Sequence, residues 1–181
     1  MNRPKGIVIL AALLAILALS ALVCVLHGVN AVSLRGTMPA AGCVITDGEA
    51  EGLRLLVEEP WMDGRVLHIS GALMRVDQPV GGVNVRVGLM KAQQADEVIR
   101  LNTQMVRRYA LAKEYGCDDH CGFHAAVSAD RLEDAEYHVV VLDEIGGEVR
   151  LLETGMTVTL HGDEFAYVRS DASKEVTKHD L

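Results

Sequence analysis

The chain has few aromatic residues and none of the short motifs that mark common enzyme classes. Aromatic side chains make up only 4% of its residues, with a single tryptophan, Trp61. It contains no Gly-x-Ser-x-Gly elbow, no His-Glu-x-x-His pair, no phosphate-binding loop and no Gly-x-Gly-x-x-Gly fingerprint. Acidic neighbours such as Glu58–Glu59 do not supply a general acid and base, because adjacent strand residues point to opposite faces. The sequence therefore predicts a protein that is not an enzyme and needs no cofactor.

Positive charge is also scarce. The chain has 17 lysines and arginines against 25 acidic residues, for a net charge of −8, and its basic residues form no stripe. Nucleic acids and anionic lipid headgroups bind clusters of cations. The charge distribution therefore excludes both from the expected partners.

One long apolar run, Ile7–Leu26, begins the chain. Its twenty uncharged residues match the roughly 20 that a helix needs to cross a bilayer. Arg3 and Lys5 precede it, which predicts a cytoplasmic N-terminus and an extracytoplasmic domain. The run exceeds the roughly 7 to 15 apolar residues of a signal peptide. Residues 1–29 are therefore predicted to be an uncleaved single-pass anchor.

Two other fates of this segment remain open. Cleavage after the small-residue pattern that ends at Ala31 would make it a signal peptide and the protein secreted. Cys24 would be the lipidated residue of a lipoprotein, but the bulky Val23 before it departs from that motif. Residues 30–51 are rich in small residues without periodicity and predict a stalk. Residues 52–161 are the predicted domain, and 162–181 a flexible tail.

Period-two alternation of apolar residues runs through the predicted domain. In 65–75, Leu67, Ile69 and Leu73 alternate with more polar positions, and 83–90 alternates in the same way. Gly71 in mid-strand indicates a bulge or a close approach of backbone. Turn residues separate eight or nine such segments, which predicts an all-β fold of two packed antiparallel sheets.

The most β-prone segment begins at a sharp reversal, Asp130 to Glu144. Leu132, Tyr137 and alternate valines in it resemble the tyrosine corner of immunoglobulin-like sandwiches, where a tyrosine hydroxyl bonds upstream backbone. The segments 107–116 and 121–127 look like parts of small extracytoplasmic sandwich modules of bacterial envelope proteins. The resemblance implies an immunoglobulin-like antiparallel β-sandwich. The aromatic residue that such modules often carry early is replaced here by Ala72, which weakens an inference of sugar binding.

The segment 117–124 holds two thiols, two imidazoles and two carboxylates. An extracytoplasmic location favours a disulfide between Cys117 and Cys121, with Cys43 left as an odd thiol of open pairing. The alternative is a metal site, for which the candidate ligands are Asp118, His120 and His124. Zinc sites of the finger type need a distant second ligand pair, which the chain does not clearly supply.

Three other residues are candidates for binding. Trp61, in a predicted turn, can stack on a sugar ring if it is exposed. Val140 and Leu142 lie on the strand face that is expected to be wet, so either the turn 110–115 or a partner covers them. His68 falls opposite the predicted core and is expected to be a solvated surface residue.

Together these observations predict a membrane-anchored, extracytoplasmic binding or assembly module of the cell envelope. An envelope protein or a glycan is the expected partner, besides the membrane itself. Two alternatives remain open: a metal-binding envelope protein that uses the 117–124 loop, and a carbohydrate-recognition module.

Overall fold

The structure is a computed structural model that describes residues 3–47, 52–77, 83–145, 147–162 and 164–170. Within these ranges the chain forms two α-helices, one short 3-10 turn and twelve strands. The helices are α1 (Arg3–Ala31) and α2 (Tyr109–Tyr115), and the strands are β1 (Leu34–Pro39), β2 (Val44–Asp47), β3 (Leu53–Val57), β4 (Trp61–Asp63), β5 (Val66–Arg75), β6 (Val85–Lys91), β7 (Gln94–Leu101), β8 (Thr103–Val106), β9 (Gly122–Ser128), β10 (Ala135–Ile145), β11 (Glu148–His161) and β12 (Glu164–Arg169). The predicted all-β class is confirmed.

The described strands form two sheets. The larger sheet has the order β1-β7-β6-β10-β11-β12, and β2 pairs in parallel with β11. The smaller sheet has the order β3-β5-β9-β8, and β4 pairs with β5 on the same side as β3. The other described strand pairs are antiparallel, as the short segments joined by turns predict.

Alternate residues of strands from both sheets meet in one core. Leu67 and Ile69 of β5 are fully buried, and so are Val87 and Leu89 of β6 in the other sheet. Each fully buried aliphatic side chain of this kind stabilises the fold by roughly 1.5–3 kcal/mol. The period-two pattern of the sequence therefore identifies the inward faces of these strands.

The predicted corner is formed at the start of β10. Tyr137 is fully buried, and its hydroxyl donates a hydrogen bond to the carbonyl oxygen of Glu133 at 2.9 Å. Burial raises the pKa of this hydroxyl, so it keeps its proton and remains a donor. Leu132, just before the corner, is partly buried against the core. The corner thus joins the chain reversal after β9 to the central strand β10.

Gly71 marks a close approach of backbone, as its mid-strand position predicts. A Cβ atom at this position would meet the carbonyl oxygen of Leu56 and the ring of Phe123. Phe123 is fully buried, so neither neighbour can move without disturbing the core. Only glycine lets β3, β5 and β9 pack this closely.

Residues 30–51, predicted to be a stalk, contain two strands of the larger sheet. β1 pairs with β7, with Met38 opposite Val98, and β2 pairs with the first half of β11. The prediction of a stalk is wrong for these residues. Both strands are short, and β1 contains glycine and proline, so they carry little period-two signal. Residues 48–51 lie outside the described part of the chain.

The segment 162–181, predicted to be a flexible tail, contains β12. This strand pairs with the second half of β11, from Met156 opposite Arg169 to His161 opposite Glu164. The Arg169 guanidinium also donates to the carbonyl oxygen of Val57 in the smaller sheet at 2.5 Å. The prediction of a tail is therefore wrong for 164–169, while 171–181 lie outside the described residues.

Two local predictions also differ from the structure, and a third falls on residues that it does not describe. Trp61 lies in a strand, β4, rather than in a turn. The two strands expected at 148–153 and 156–161 are one strand, β11, which passes through Gly155 with a left-handed φ of +65°. The predicted turn at 78–82 lies outside the described residues.

The N-terminal helix α1 carries the apolar run. Nine large apolar side chains between Leu13 and Leu26 are 53 to 66% exposed, so the sandwich does not bury them. No helix in the part of the chain that the structure describes is long and apolar enough to cross a membrane.

Candidate functional site

Three aromatic rings stand side by side on the outer face of the smaller sheet. Trp61 of β4 lies directly opposite His68 of β5, and the rings are stacked with centroids 5.0 Å apart and planes 7° apart. His68 in turn lies 5.3 Å from the ring of His124 on β9. We call these three residues the ring row. They belong to three adjacent strands, and because the rings of Trp61 and His124 are also only 5.8 Å apart, the three rings form a compact cluster that includes the exposed indole.

Strand alternation explains why these side chains share a face. Leu67 and Ile69 of β5 point into the core. Because successive strand residues point to opposite faces, His68 and Ser70, which alternate with them, point outward. Phe123 and Ala125 likewise point inward and leave His124 outward. The prediction that His68 lies on the outer face is correct, but the prediction that it is solvated is wrong. His68 is half-buried, because the neighbouring rings cover it.

Hydrogen bonds hold the ring row in place. Ser70, itself 4% exposed, has its Oγ 2.8 Å from Nδ1 of His124. The other nitrogen of that ring, Nε2, lies 3.4 Å from Nδ1 of His68. This second distance exceeds the roughly 2.7–3.2 Å of a normal hydrogen bond, so the contact between the two imidazoles is weak.

The site favours a neutral His124. Burial lowers the pKa of this imidazole first, and the neighbouring His68 lowers it further, while the carboxylate of Glu58 acts in the opposite direction. Glu58 is held by Arg108, whose guanidinium lies 2.7 Å from its carboxylate. The ring row therefore presents the uncharged imidazole of His124 beside an ion pair at its edge.

The serine and histidine of this site do not form a hydrolase dyad. Ser70 contacts Nδ1 of His124, and Nε2 faces another imidazole. A serine nucleophile works with a base that a third group, usually a carboxylate, orients. Among the described residues no carboxylate is hydrogen-bonded to His68 or His124. The geometry instead offers an aromatic surface and two imidazole nitrogens.

The other end of the same sheet face is covered by α2 and the cysteines. Ala72 and Met74 of β5 are buried there against Cys117 and Cys121 and the apolar side of α2. All four cysteines of the chain are free thiols in the structure, so the predicted disulfide is not formed in it. Burial raises the pKa of Cys121 to about 11, and the adjacent Cys117 contributes to the increase.

The loop before β9 brings together only part of the predicted metal set. Asp118, Asp119 and His120 have ligand atoms within 4.8 Å of one another, but His124 belongs to the ring row instead. His120 Nδ1 lies 2.8 Å from an Asp119 oxygen, and its Nε2 accepts a hydrogen bond from Arg107 at 3.0 Å. Both imidazole nitrogens therefore already have partners within the protein.

Val140 and Leu142 are not an exposed surface. They are 2% and 0% exposed and form a second apolar cluster with residues of β10, β11 and β7. The segment that covers them contributes Met38, Ala40 and Cys43. Both predictions for this patch, a partner surface and cover by the turn 110–115, are wrong. The reason is that α2 packs on the other sheet, and the supposed stalk covers this one.

Trp61 is exposed, as a residue that binds a ligand must be. It is 43% exposed beside the two imidazoles of the ring row. The role of His68 and Ser70 was missed, because their proximity to His124 depends on the pairing of β5 with β9. The sequence did contain one signal for this role: His68 and Ser70 occupy outward positions of the same strand, close in sequence to the only tryptophan.

Comparison of the chain with protein-family models, with curated proteins and with solved structures finds no match.

Proposed function

We propose that the protein is a membrane-anchored, extracytoplasmic binding module of the cell envelope, without enzymatic activity. The observation that carries the proposal is the ring row, in which an exposed indole is held by two stacked imidazoles. A rigid aromatic side chain loses little conformational entropy when a ligand covers it, so it supplies binding energy efficiently. Trp61 is therefore the proposed contact residue.

The N-terminal segment supports the proposed location of the module. The run Ile7–Leu26 is uncharged and follows Arg3 and Lys5, which favours a cytoplasmic N-terminus. The described apolar side chains of α1 are exposed on all sides, whereas a helix on a globular domain buries one stripe. Both observations favour an apolar environment around α1, which a bilayer provides.

The proposed fold type is an immunoglobulin-like sandwich. Two sheets over one core, together with a tyrosine hydroxyl that bonds backbone at the start of a central strand, support this assignment. Sandwich modules of this type are scaffolds for recognition, and the fold itself specifies no ligand. The ring row and the polar groups beside it therefore support the proposed ligand.

The proposed partner is an envelope protein or a glycan, and one observation favours the glycan. The indole of Trp61 is available at the edge of the sheet, and a sugar ring can stack on such a surface. Neighbouring polar groups, the carboxylate of Glu58 and the guanidinium of Arg108, can bond sugar hydroxyls. An acidic chain without a basic stripe gives no comparable support to nucleic acid.

The test is ligand capture by the full-length chain with and without the indole. Crosslinking in cells and a glycan array identify what is bound, and Trp61→Ala is expected to abolish retention without moving the melting curve. Tyr109→Ala removes another exposed aromatic side chain, 64% exposed on α2, and is expected to retain the ligand. Equal retention by wild type and Trp61→Ala refutes the proposed surface.

The anchor has its own test. Chemical sequencing of the N-terminus of the protein recovered from membranes is expected to begin at or near Met1. A mature chain that begins just after Ala31 would show that the segment is a cleaved signal peptide. The binding surface would stand in that case, but the anchor would not.

A further inference from the structure

The ring row contains two imidazole nitrogens at the spacing that one metal ion requires. Nδ1 of His68 and Nε2 of His124 are 3.4 Å apart. Two nitrogen ligands at about 2.0–2.1 Å from a tetrahedral Zn²⁺ lie about 3.3 Å from each other. The observed distance is too long for a good hydrogen bond and matches that of two ligands sharing an ion.

We propose that His68 and His124 form a binding site for a divalent transition-metal ion, Cu²⁺ or Zn²⁺. This inference rests on the proposed function only in that the metal site and the proposed ligand surface both include the ring row. Imidazole nitrogen is a preferred ligand of both ions. Two protein ligands leave coordination positions open to water or to a bound partner, so the site is an accessible one rather than a closed structural one.

Ser70 supports the site from behind. Its Oγ lies 2.8 Å from Nδ1 of His124 and can accept the proton of that nitrogen. Nε2 then carries the lone pair that faces His68. Metal-binding histidines commonly have their second nitrogen held by a hydrogen bond of this kind, which orients the ring and fixes its tautomer. The buried Ser70 thus has a role in a metal site, namely to orient the ring of His124. A histidine that only faced solvent would not need such a partner.

The site is distinct from the Asp118–His120 cluster. There, both nitrogens of His120 already have partners, including the permanently charged Arg107. A cation would have to displace that guanidinium. At the ring row, by contrast, the two facing nitrogens contact each other only weakly, and an ion between them would replace no strong interaction.

Trp61 reports on the site directly. It is the only tryptophan of the chain, and its ring is stacked 5.0 Å from that of His68. Cu²⁺ bound at His68 would therefore quench nearly all indole fluorescence. The experiment uses the full-length chain in detergent without a polyhistidine tag, titrated with Cu²⁺ by fluorescence and with Zn²⁺ by calorimetry.

Wild type is expected to bind one equivalent of either metal. His68→Gln and His124→Gln are each expected to weaken binding more than tenfold, and Ser70→Ala about tenfold. His138→Gln, which changes an exposed strand histidine of the larger sheet, and His120→Gln are the matched controls and should bind as wild type does. Circular dichroism and the melting curve verify that each variant folds.

Some outcomes would overturn the proposal. These are no metal uptake by wild type, unchanged affinity in both ring-row variants, or an equal loss in a control variant. If the ring-row variants do not fold, electron paramagnetic resonance of the Cu²⁺-loaded wild type decides. Hyperfine splitting from two nitrogens supports the site, and fewer than two refutes it. If the protein binds no metal but still captures its ligand through Trp61, the metal site is refuted and the proposed function is not.

Discussion

A buried ion pair between the two sheets allows the sharpest test of the fold. Asp143 of β10 is fully buried, and Arg75 at the end of β5 places Nη2 3.0 Å from both of its carboxylate oxygens. Arg75→Met keeps the apolar length of the side chain and removes the charge. Removing one partner of a buried pair costs about 3–5 kcal/mol, because the other charge is left without compensation. For a domain of this size the midpoint should fall by roughly 10 °C or more.

The loss of stability in Arg75→Met should depend on pH in a defined direction. Burial raises the pKa of Asp143, and Arg75, followed by Arg150, opposes that increase. Without Arg75 the folded-state pKa rises further above that of the unfolded chain. A carboxyl group of this kind destabilises the fold as pH rises through its folded-state pKa, and the stability returns as pH falls below it. The deficit of Arg75→Met relative to wild type is therefore expected to be larger at pH 7.5 than at pH 5.

Chemical denaturation of the full-length chain, followed by far-ultraviolet circular dichroism, measures both effects. Arg65→Met is the matched control, because the Arg65–Asp130 pair is 48% and 63% exposed and such surface pairs contribute about 0–1 kcal/mol. The double variant Arg75→Met/Asp143→Leu should recover much of the lost stability. A deficit below about 1 kcal/mol, or one that does not shrink at low pH, would refute the reasoning.

Three further predictions concern the core and the thiols. Tyr137→Phe keeps the buried ring but leaves the Glu133 carbonyl without its donor, so the free energy of unfolding should fall by about 1–2 kcal/mol in a urea titration; an unchanged midpoint would show that the corner bond contributes nothing. Gly71→Ala places a methyl group against backbone and the Phe123 ring, and should cost about 1–3 kcal/mol in the same assay, whereas full stability would mean that the strands can separate there. Because the pKa of Cys121 is raised to about 11, its alkylation by iodoacetamide should stay slow through pH 9 and accelerate toward pH 11; a plateau near pH 9 would contradict that burial.

Sequence reasoning succeeds where a residue's neighbours along the chain determine its environment. The alternation through Leu67, Ile69 and Val87 identifies inward faces, because successive strand residues point to opposite sides whatever the strand's partner is. The corner at Tyr137 is local as well, since donor and acceptor are four residues apart.

The same reasoning fails where a segment that is distant in sequence determines whether a residue is buried or paired. Val140 and Leu142 have the pattern of a wet face, but residues 38–43 cover them from a part of the chain about a hundred positions away. β1, β2 and β12 are edge strands with weak alternation, and their pairing with β7 and β11 is what makes them strands. Burial by non-local contact leaves no periodic signal in the buried segment itself.

The candidate site divides in the same way. The amino-acid order by itself determined that His68 and Ser70 point outward, and that the only tryptophan lies nearby in sequence. Only the tertiary structure decided that β5 pairs with both β4 and β9, which brings Trp61, His68 and His124 into one cluster. Side-chain direction depends on a strand's own geometry, whereas the meeting of two side chains depends on which strands share backbone hydrogen bonds. That choice is made by the whole core and not by any single segment.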